Sequence, residues 1–184
     1  HQGPARGAFH RLARRGFAHP PQWARPLTGG RGAGGGGPLR SGRSAVKPLL
    51  AVSMGDPAGI GPEIVFAAAA DAKVRRACRM VVFGDAGVLE TARRVRRIPA
   101  GAPTAIVRVE SITSRHAASL PRPGRASGDA AFRYLEAAAV ATASGTCDGL
   151  VTAPLNKYWM SRAGHDYDGH TGFLSSFSRC PATM

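Results

Sequence analysis

Cysteine is scarce in this 184-residue chain, and its three copies, Cys78, Cys147 and Cys180, stand far apart. The number is odd and no C-x-x-C occurs, which argues against a disulfide framework or a zinc knuckle and for free thiols in a reducing compartment. Long apolar runs are also missing: none approaches the roughly 20 residues of a membrane-spanning helix. Aromatic residues make up only 7% of the chain, and acidic residues number eleven against 25 basic ones, for a formal net charge of +14. That imbalance is uneven. The first 47 residues hold nine of the basic and none of the acidic residues, so residues 48–184 carry sixteen against eleven, a net of +5.

The basic N-terminal stretch includes G-G-R-G-A-G-G-G-G at residues 29–37. A segment so rich in Gly, Pro and Arg cannot bury enough apolar surface to offset its ordering entropy. Residues 1–46 are therefore expected to be a disordered extension, inert or translated from upstream sequence. A basic nucleic-acid-binding module is the alternative of another class. Against it, Phe9, Phe17 and Trp23 are few and not regularly interleaved among the arginines.

From residue 47 onward, strand and helix signals alternate. Residues 49–54 (L-L-A-V-S-M) form an apolar run that stops at Gly55-Asp56-Pro57, as a buried strand would. A helix is predicted from Pro62 to about Val74, since proline suits a first helical turn. Residues 79–83 read as a second strand, 86–97 as a helix and 104–109 as a third strand. A Pro/Gly/Ser-rich loop or irregular crossing then leads to Gly124. Ser127 or Asp129 is expected to cap a helix over 130–143, with Phe132, Leu135, Ala139 and Thr142 on one face. Residues 150–153 read as a strand, 155–163 and 171–177 as helices, and 182–184 as a strand cut short. This alternation predicts an α/β sandwich with a mainly parallel sheet.

Three motifs can carry chemistry. G-D-P-A-G-I-G-P-E (55–63) lies between a strand and a helix, but its spacing is neither G-x-G-x-x-G nor a P-loop. It reads either as a ligand-approaching turn or as a rigid turn in which Asp56 bonds nearby amides. In P-L-N-K (154–157), Asn156 suits a helix cap. Lys157 opposes the helix dipole there, so it either faces water or meets an anion beside the helix amides. In G-H-T (169–171), an imidazole and a hydroxyl leave the start of a helix and can grip a small polar substrate. The plainer alternative is that Thr171 caps a helix and His170 lies on the surface. His165 completes no metal-ligand pattern, Asp166 and Asp168 read as turn residues, and His116 offers nothing specific.

Taken together and in order, S-M-G-D-P-A-G-I-G-P-E (53–63), V-F-G-D (82–85), V-T-A-P-L-N-K (151–157) and A-G…G-H-T (163–171) resemble the 4-hydroxythreonine-4-phosphate dehydrogenase family. The resemblance covers residues 48–184. It implies an α/β/α fold similar to that of isocitrate and isopropylmalate dehydrogenases, and a cytoplasmic homodimer of vitamin B6 biosynthesis. It further implies oxidation of 4-phosphooxy-L-threonine with NAD or NADP, then decarboxylation to 3-amino-2-oxopropyl phosphate. The family's substrate-binding His-Thr pair corresponds to His170 and Thr171; Lys157 and Asp56 match family positions with less defined roles. The family also binds a divalent metal (Zn, Mg or Co) through three histidines that would lie beyond Met184, so no metal ligand is assigned here. Residues 47–184 are thus expected to be the N-terminal half of such an enzyme, truncated and inactive alone. Gly172 replaces the family's usual glutamate after G-H-T, and His165-Asp166 replaces a more apolar approach. Both departures keep D-threonate or D-erythronate 4-phosphate open as the substrate.

Overall fold

A strand in a parallel sheet is covered on both faces, so it stays apolar without alternation. The computed structural model, which describes residues 47–95, 97, 105–108 and 122–178, has such a sheet. Strands β1 (Leu49–Ser53), β2 (Arg79–Gly84), β3 (Ala105–Arg108) and β4 (Gly149–Thr152) run in the order β3-β2-β1-β4. All pairings are parallel, with Val52 opposite both Val82 and Val151. Ala51, Val52 and Ser53 of β1 and Val81, Val82 and Phe83 of β2 are consecutively buried. That is the physical reason for their unbroken apolar runs. The expected α/β class with a parallel sheet holds.

The helices are α1 (Gly61–Ala70), α2 (Ala72–Ala77), α3 (Ala86–Val95), α4 (Arg125–Ala143), α5 (Lys157–Arg162) and α6 (Gly169–Ser178). Crossovers between parallel strands are right-handed. The steps β1→β2 and β2→β3 advance one way and put α1 and α3 on one face. The return from β3 to β4 puts α4 on the other. Consistently, α1 packs on α3, while α4 crosses β1, β2 and β4 and holds α5. The core is built from Met54, Val82, Val88, Leu89 and Tyr134, and a second cluster joins Leu135, Met160 and Phe173.

Two of the predicted helices before β4 change. The helix expected over 62–74 breaks at Asp71, whose extended backbone (ψ 125°) begins α2. Its carboxylate accepts from the N–H groups of Lys73 (2.6 Å) and Val74 (3.1 Å), and the Arg75 guanidinium donates to the open carbonyls of Ala69 and Ala70. An alanine run carries no apolar period, so the break was invisible except as an internal Asp. Helix α4 begins at Arg125, a turn before expectation. Ser127 is not its cap but sits inside the first turn, accepting from the Gly124 N–H (3.1 Å) and donating to the Gly124 carbonyl (3.0 Å). Asp129 does not cap it either.

Cys147 is buried and burial raises its thiol pKa, while the half-buried Cys78 donates to the Val74 carbonyl, as suits structural thiols. The expectations for residues 1–46, for the crossing up to 121 and for the strand at 182–184 lie outside the described residues.

The exit of β1 is tightly packed. Gly55 has φ +74°, and a Cβ there would lie 2.3 Å from the Pro154 carbonyl oxygen. Gly145 has the same φ, with nothing near a Cβ. Gly145→Ala is therefore expected to destabilise the chain by about 1–2 kcal/mol through backbone strain alone. Gly55→Ala adds a backbone collision and should reach about 3 kcal/mol or more. Guanidinium midpoints of the two variants check this; equal losses would mean that the two backbones are not in contact.

Candidate functional site at the exits of β1 and β4

Where neighbouring parallel strands send their connections to opposite faces, a crevice opens beyond their carboxyl ends. Here β1 leads to α1 on one face, and β4 leads to α5, which packs on α4. The two exits are bonded together. The Ala153 N–H donates to the Ser53 carbonyl (3.0 Å), and the Asp56 N–H donates to the Pro154 carbonyl (2.9 Å).

The glycine-rich loop is taken up by this join. The space a Cβ would fill is occupied at Gly55 by the Pro154 carbonyl and at Gly61 by the Met54 carbonyl, 2.1 Å away. Asp56 is buried; its Oδ1 accepts from the Ala58 N–H (2.9 Å) and its carbonyl from the Gly59 N–H (3.0 Å). These are the contacts of a rigid turn rather than of a phosphate cradle. Asp85, closing V-F-G-D, starts α3 by accepting from Gly87 (2.8 Å) and Val88 (3.1 Å).

Beyond Pro154, the Asn156 side chain caps α5 by accepting from the Trp159 N–H at 3.2 Å, and Lys157 opens that helix. Helix α6 starts at Gly169, so Thr171 lies inside its first turn and is not its cap. The reason is local. Gly169, at φ +65°, bonds back to the Tyr167 carbonyl, and Gly172 donates to that of Asp168, moving the helix start two residues earlier.

The fold brings Lys157 to the same turn. A Cβ on Gly169 would lie 2.8 Å from Lys157 Cε, so the glycine makes room for the lysine stem. Lys157 Nζ is 2.5 Å from Asp168 Oδ1, in an exposed pair. The hydrogen bond from Lys157 holds the Asp168 carboxyl below the usual carboxylate range. Asp168, expected only as a turn residue, is thus the lysine's partner.

His170 is half-buried rather than a surface residue, and its Nε2 is covered without a hydrogen-bond partner. Burial pushes its pKa below the ordinary imidazole value; a hydrogen bond with the Ala153 backbone pulls the other way, and the Lys157 charge adds to the lowering. Ser53 Oγ, at the end of β1, is a second covered polar atom without a partner. Ala153 links the two, bonded to Ser53 on one side and to His170 on the other. Thr171 follows, part-exposed.

The structure therefore gathers His170, Thr171 and Lys157, and gives Asp56 a turn's work next to them. Sequence reasoning did not find Ser53 or the role of Asp168; no spacing rule links residues eleven positions apart across a loop. Among the described residues, no group of three His, Cys, Asp or Glu side chains is placed to hold a metal ion.

Residues 76–184 match the family described as pyridoxal phosphate biosynthetic protein PdxA. A 4-hydroxythreonine-4-phosphate dehydrogenase from Trichlorobacter lovleyi is 36% identical over 148 residues, covering 73% of this chain and 44% of that protein. A D-threonate 4-phosphate dehydrogenase from Cupriavidus necator is 33% identical over 150 residues, with 73% and 44% covered. The crystal structure of a 4-hydroxythreonine-4-phosphate dehydrogenase from Burkholderia phymatum is similar at a TM-score of 0.65 and 31% identity, covering 74% of this chain and 45% of that one. The chain spans less than half the length of these relatives.

The state of His170 can be measured. Its imidazole should titrate below the usual histidine range, and Lys157→Met should move the midpoint upward; histidine NMR resonances followed against pH read both. The unfolded chain takes up this proton first. The neutral ring therefore carries no penalty above about pH 6.5, and stability falls as the pH drops from there toward the folded-state pKa.

Proposed function

Because this chain belongs to the PdxA family, we propose that it supplies the substrate-holding edge of a dehydrogenase acting on a small phosphorylated hydroxy acid. The preferred substrate is 4-phosphooxy-L-threonine, oxidised with NAD or NADP and decarboxylated to 3-amino-2-oxopropyl phosphate in vitamin B6 biosynthesis. The observation that carries this reading is one arrangement: a covered, unpartnered imidazole nitrogen on His170, beside a lysine that reaches the same turn. An unmade hydrogen bond on a covered polar atom is unfavourable until a ligand completes it.

The chain's own residues bind and orient. A neutral His170 whose other ring nitrogen donates to the Ala153 carbonyl has Nε2 free as an acceptor, which can take a hydrogen bond from the substrate's hydroxyl. The Thr171 hydroxyl adds a second polar contact on the same turn. Lys157 is the cation for the phosphate, which would replace Asp168 as its partner. Oxidation removes hydride from the carbinol carbon and a proton from its oxygen, and the β-keto acid then loses carbon dioxide. Among the described residues no three side chains form a metal-ligand set, and the space beside Gly55 and Gly61 is filled by the chain's own carbonyls.

D-threonate 4-phosphate is the second reading, favoured by the similarity to the Cupriavidus necator enzyme. The H-D-Y-D approach does not decide between the two, because His165 and Tyr167 stack on Phe132 of α4. The homodimer and the cytoplasmic location belong to the same proposal. No helix among the described residues is long and apolar enough to cross a membrane.

Calorimetric titration of the 184-residue chain with each substrate tests the reading. Binding of 4-phosphooxy-L-threonine is expected without NADH formation, and His170→Asn should weaken it about tenfold or more. Removing residues 1–46 should leave that binding unchanged. Turnover by this chain would overturn the assignment of a substrate-holding edge alone; absent binding of either substrate would overturn the reading itself.

A further inference from the structure

Residues 163–167, between α5 and α6, take no part in the site as described, yet they are fastened to the fold at several points. The chain leaves α5 through Gly164, at φ +98°. From there, residues alternate between partly covered and exposed: His165 and Tyr167 turn inward, Asp166 and Asp168 outward. Two tight turns set this alternation: the Tyr167 N–H donates to the His165 carbonyl (3.0 Å) and the Gly169 N–H to the Tyr167 carbonyl (2.8 Å).

The inward pair meets a single stretch of α4. His165 Nε2 is 2.9 Å from Asp129 Oδ1, and its ring stacks on Phe132 with centroids 3.8 Å apart and planes 15° apart. Tyr167 lies parallel to Phe132 at 5.7 Å, and Phe173 of α6 stands edge-on to both rings, at 5.1 and 5.4 Å. The Asp129 carboxylate is itself held, since its Oδ2 is 2.8 Å from Arg133 Nε one turn along α4. Glu136 follows on the same helix, half-buried, with its pKa raised by burial and drawn down by His165 and Arg133. The His165 ring therefore has a fixed acceptor at its edge and a fixed ring against its face.

We propose that His165 is a positioning residue for the His170–Thr171 site. By joining Asp129 and Phe132 it fixes the 165–168 turn segment on α4, and α4 lies across β1 and β4. The segment's outward residues are thereby placed, so that Asp168 meets Lys157, Gly169 passes under the lysine stem and His170 reaches the Ala153 backbone. The inference rests on the substrate-binding reading above and adds to it the element that sets the geometry. It also gives His165 a role other than contact with substrate.

Three substitutions separate the parts of the contact in the full 184-residue chain. His165→Ala removes both contacts, His165→Gln keeps an amide donor for Asp129, and His165→Phe keeps the stack. Amide hydrogen exchange and the affinity for 4-phosphooxy-L-threonine are the readouts. With His165→Ala, amides of residues 165–172 should exchange about tenfold faster while those of β1 and β2 stay unchanged. The dissociation constant should rise about three- to tenfold, and His165→Gln should restore part of both. Exchange that is unchanged in 165–172, or that rises equally through β1 and β2, would overturn the proposal. So would normal substrate affinity in His165→Ala. If the wild-type chain does not bind the substrate, the functional reading falls, and the exchange pattern still decides the anchoring.

Discussion

Between β1 and β4 the two outgoing backbones run so close that no side chain fits between them. The Gly55 α-carbon sits against the carbonyls of Ala153 and Pro154, and the Asp56 N–H completes the contact by donating to Pro154. This packing takes up the glycine-rich loop, whose close approaches are to the chain's own carbonyls. It also holds Ala153 and Pro154 in place, and everything downstream inherits that position. Asn156 caps the next helix, Lys157 leaves its first turn, and His170 finds the Ala153 backbone. A contact between main chains thus sets the side chains of the candidate site.

The electrostatics follow from the same placement. A cation in the first turn of a helix gains nothing from the macrodipole. Lys157 instead pairs with Asp168 across the loop, and its charge helps to keep His170 neutral. Burial is the larger influence on the imidazole, because it disfavours the charged ring whatever stands nearby. The result is a neutral hydrogen-bonding group and a separate, exposed positive charge at one edge of the crevice. That division of labour suits a ligand with a hydroxyl at one point and a phosphate at another.

Much of this was legible in the sequence, for physical reasons that differ by element. β1 and β2 were visible because strands buried on both faces are uniformly apolar. The glycine and proline stops at residues 55–57 and 84 marked where those strands end. The alanine run of α1 hid the break at Asp71, since residues of one kind carry no period. The start of α6 was misplaced because a glycine at positive φ can lead into a helix as well as precede one. His170, Thr171 and Lys157 were singled out through the order of several weak motifs. The Asp129–His165 contact joins positions 36 residues apart. No periodicity reports such a contact, and Asp129 looked instead like a helix cap.

At Gly169 a missing side chain is filled by another residue's stem. The Lys157 Cε lies within 2.8 Å of where a Cβ would stand, and the same lysine goes on to meet Asp168 one residue away. Positions 157, 168 and 169 are consequently one steric unit. A methyl group added at 169 would displace the lysine stem and, at φ +65°, strain the backbone as well. A single-site survey of this corner would score as three independent positions what is mechanically coupled.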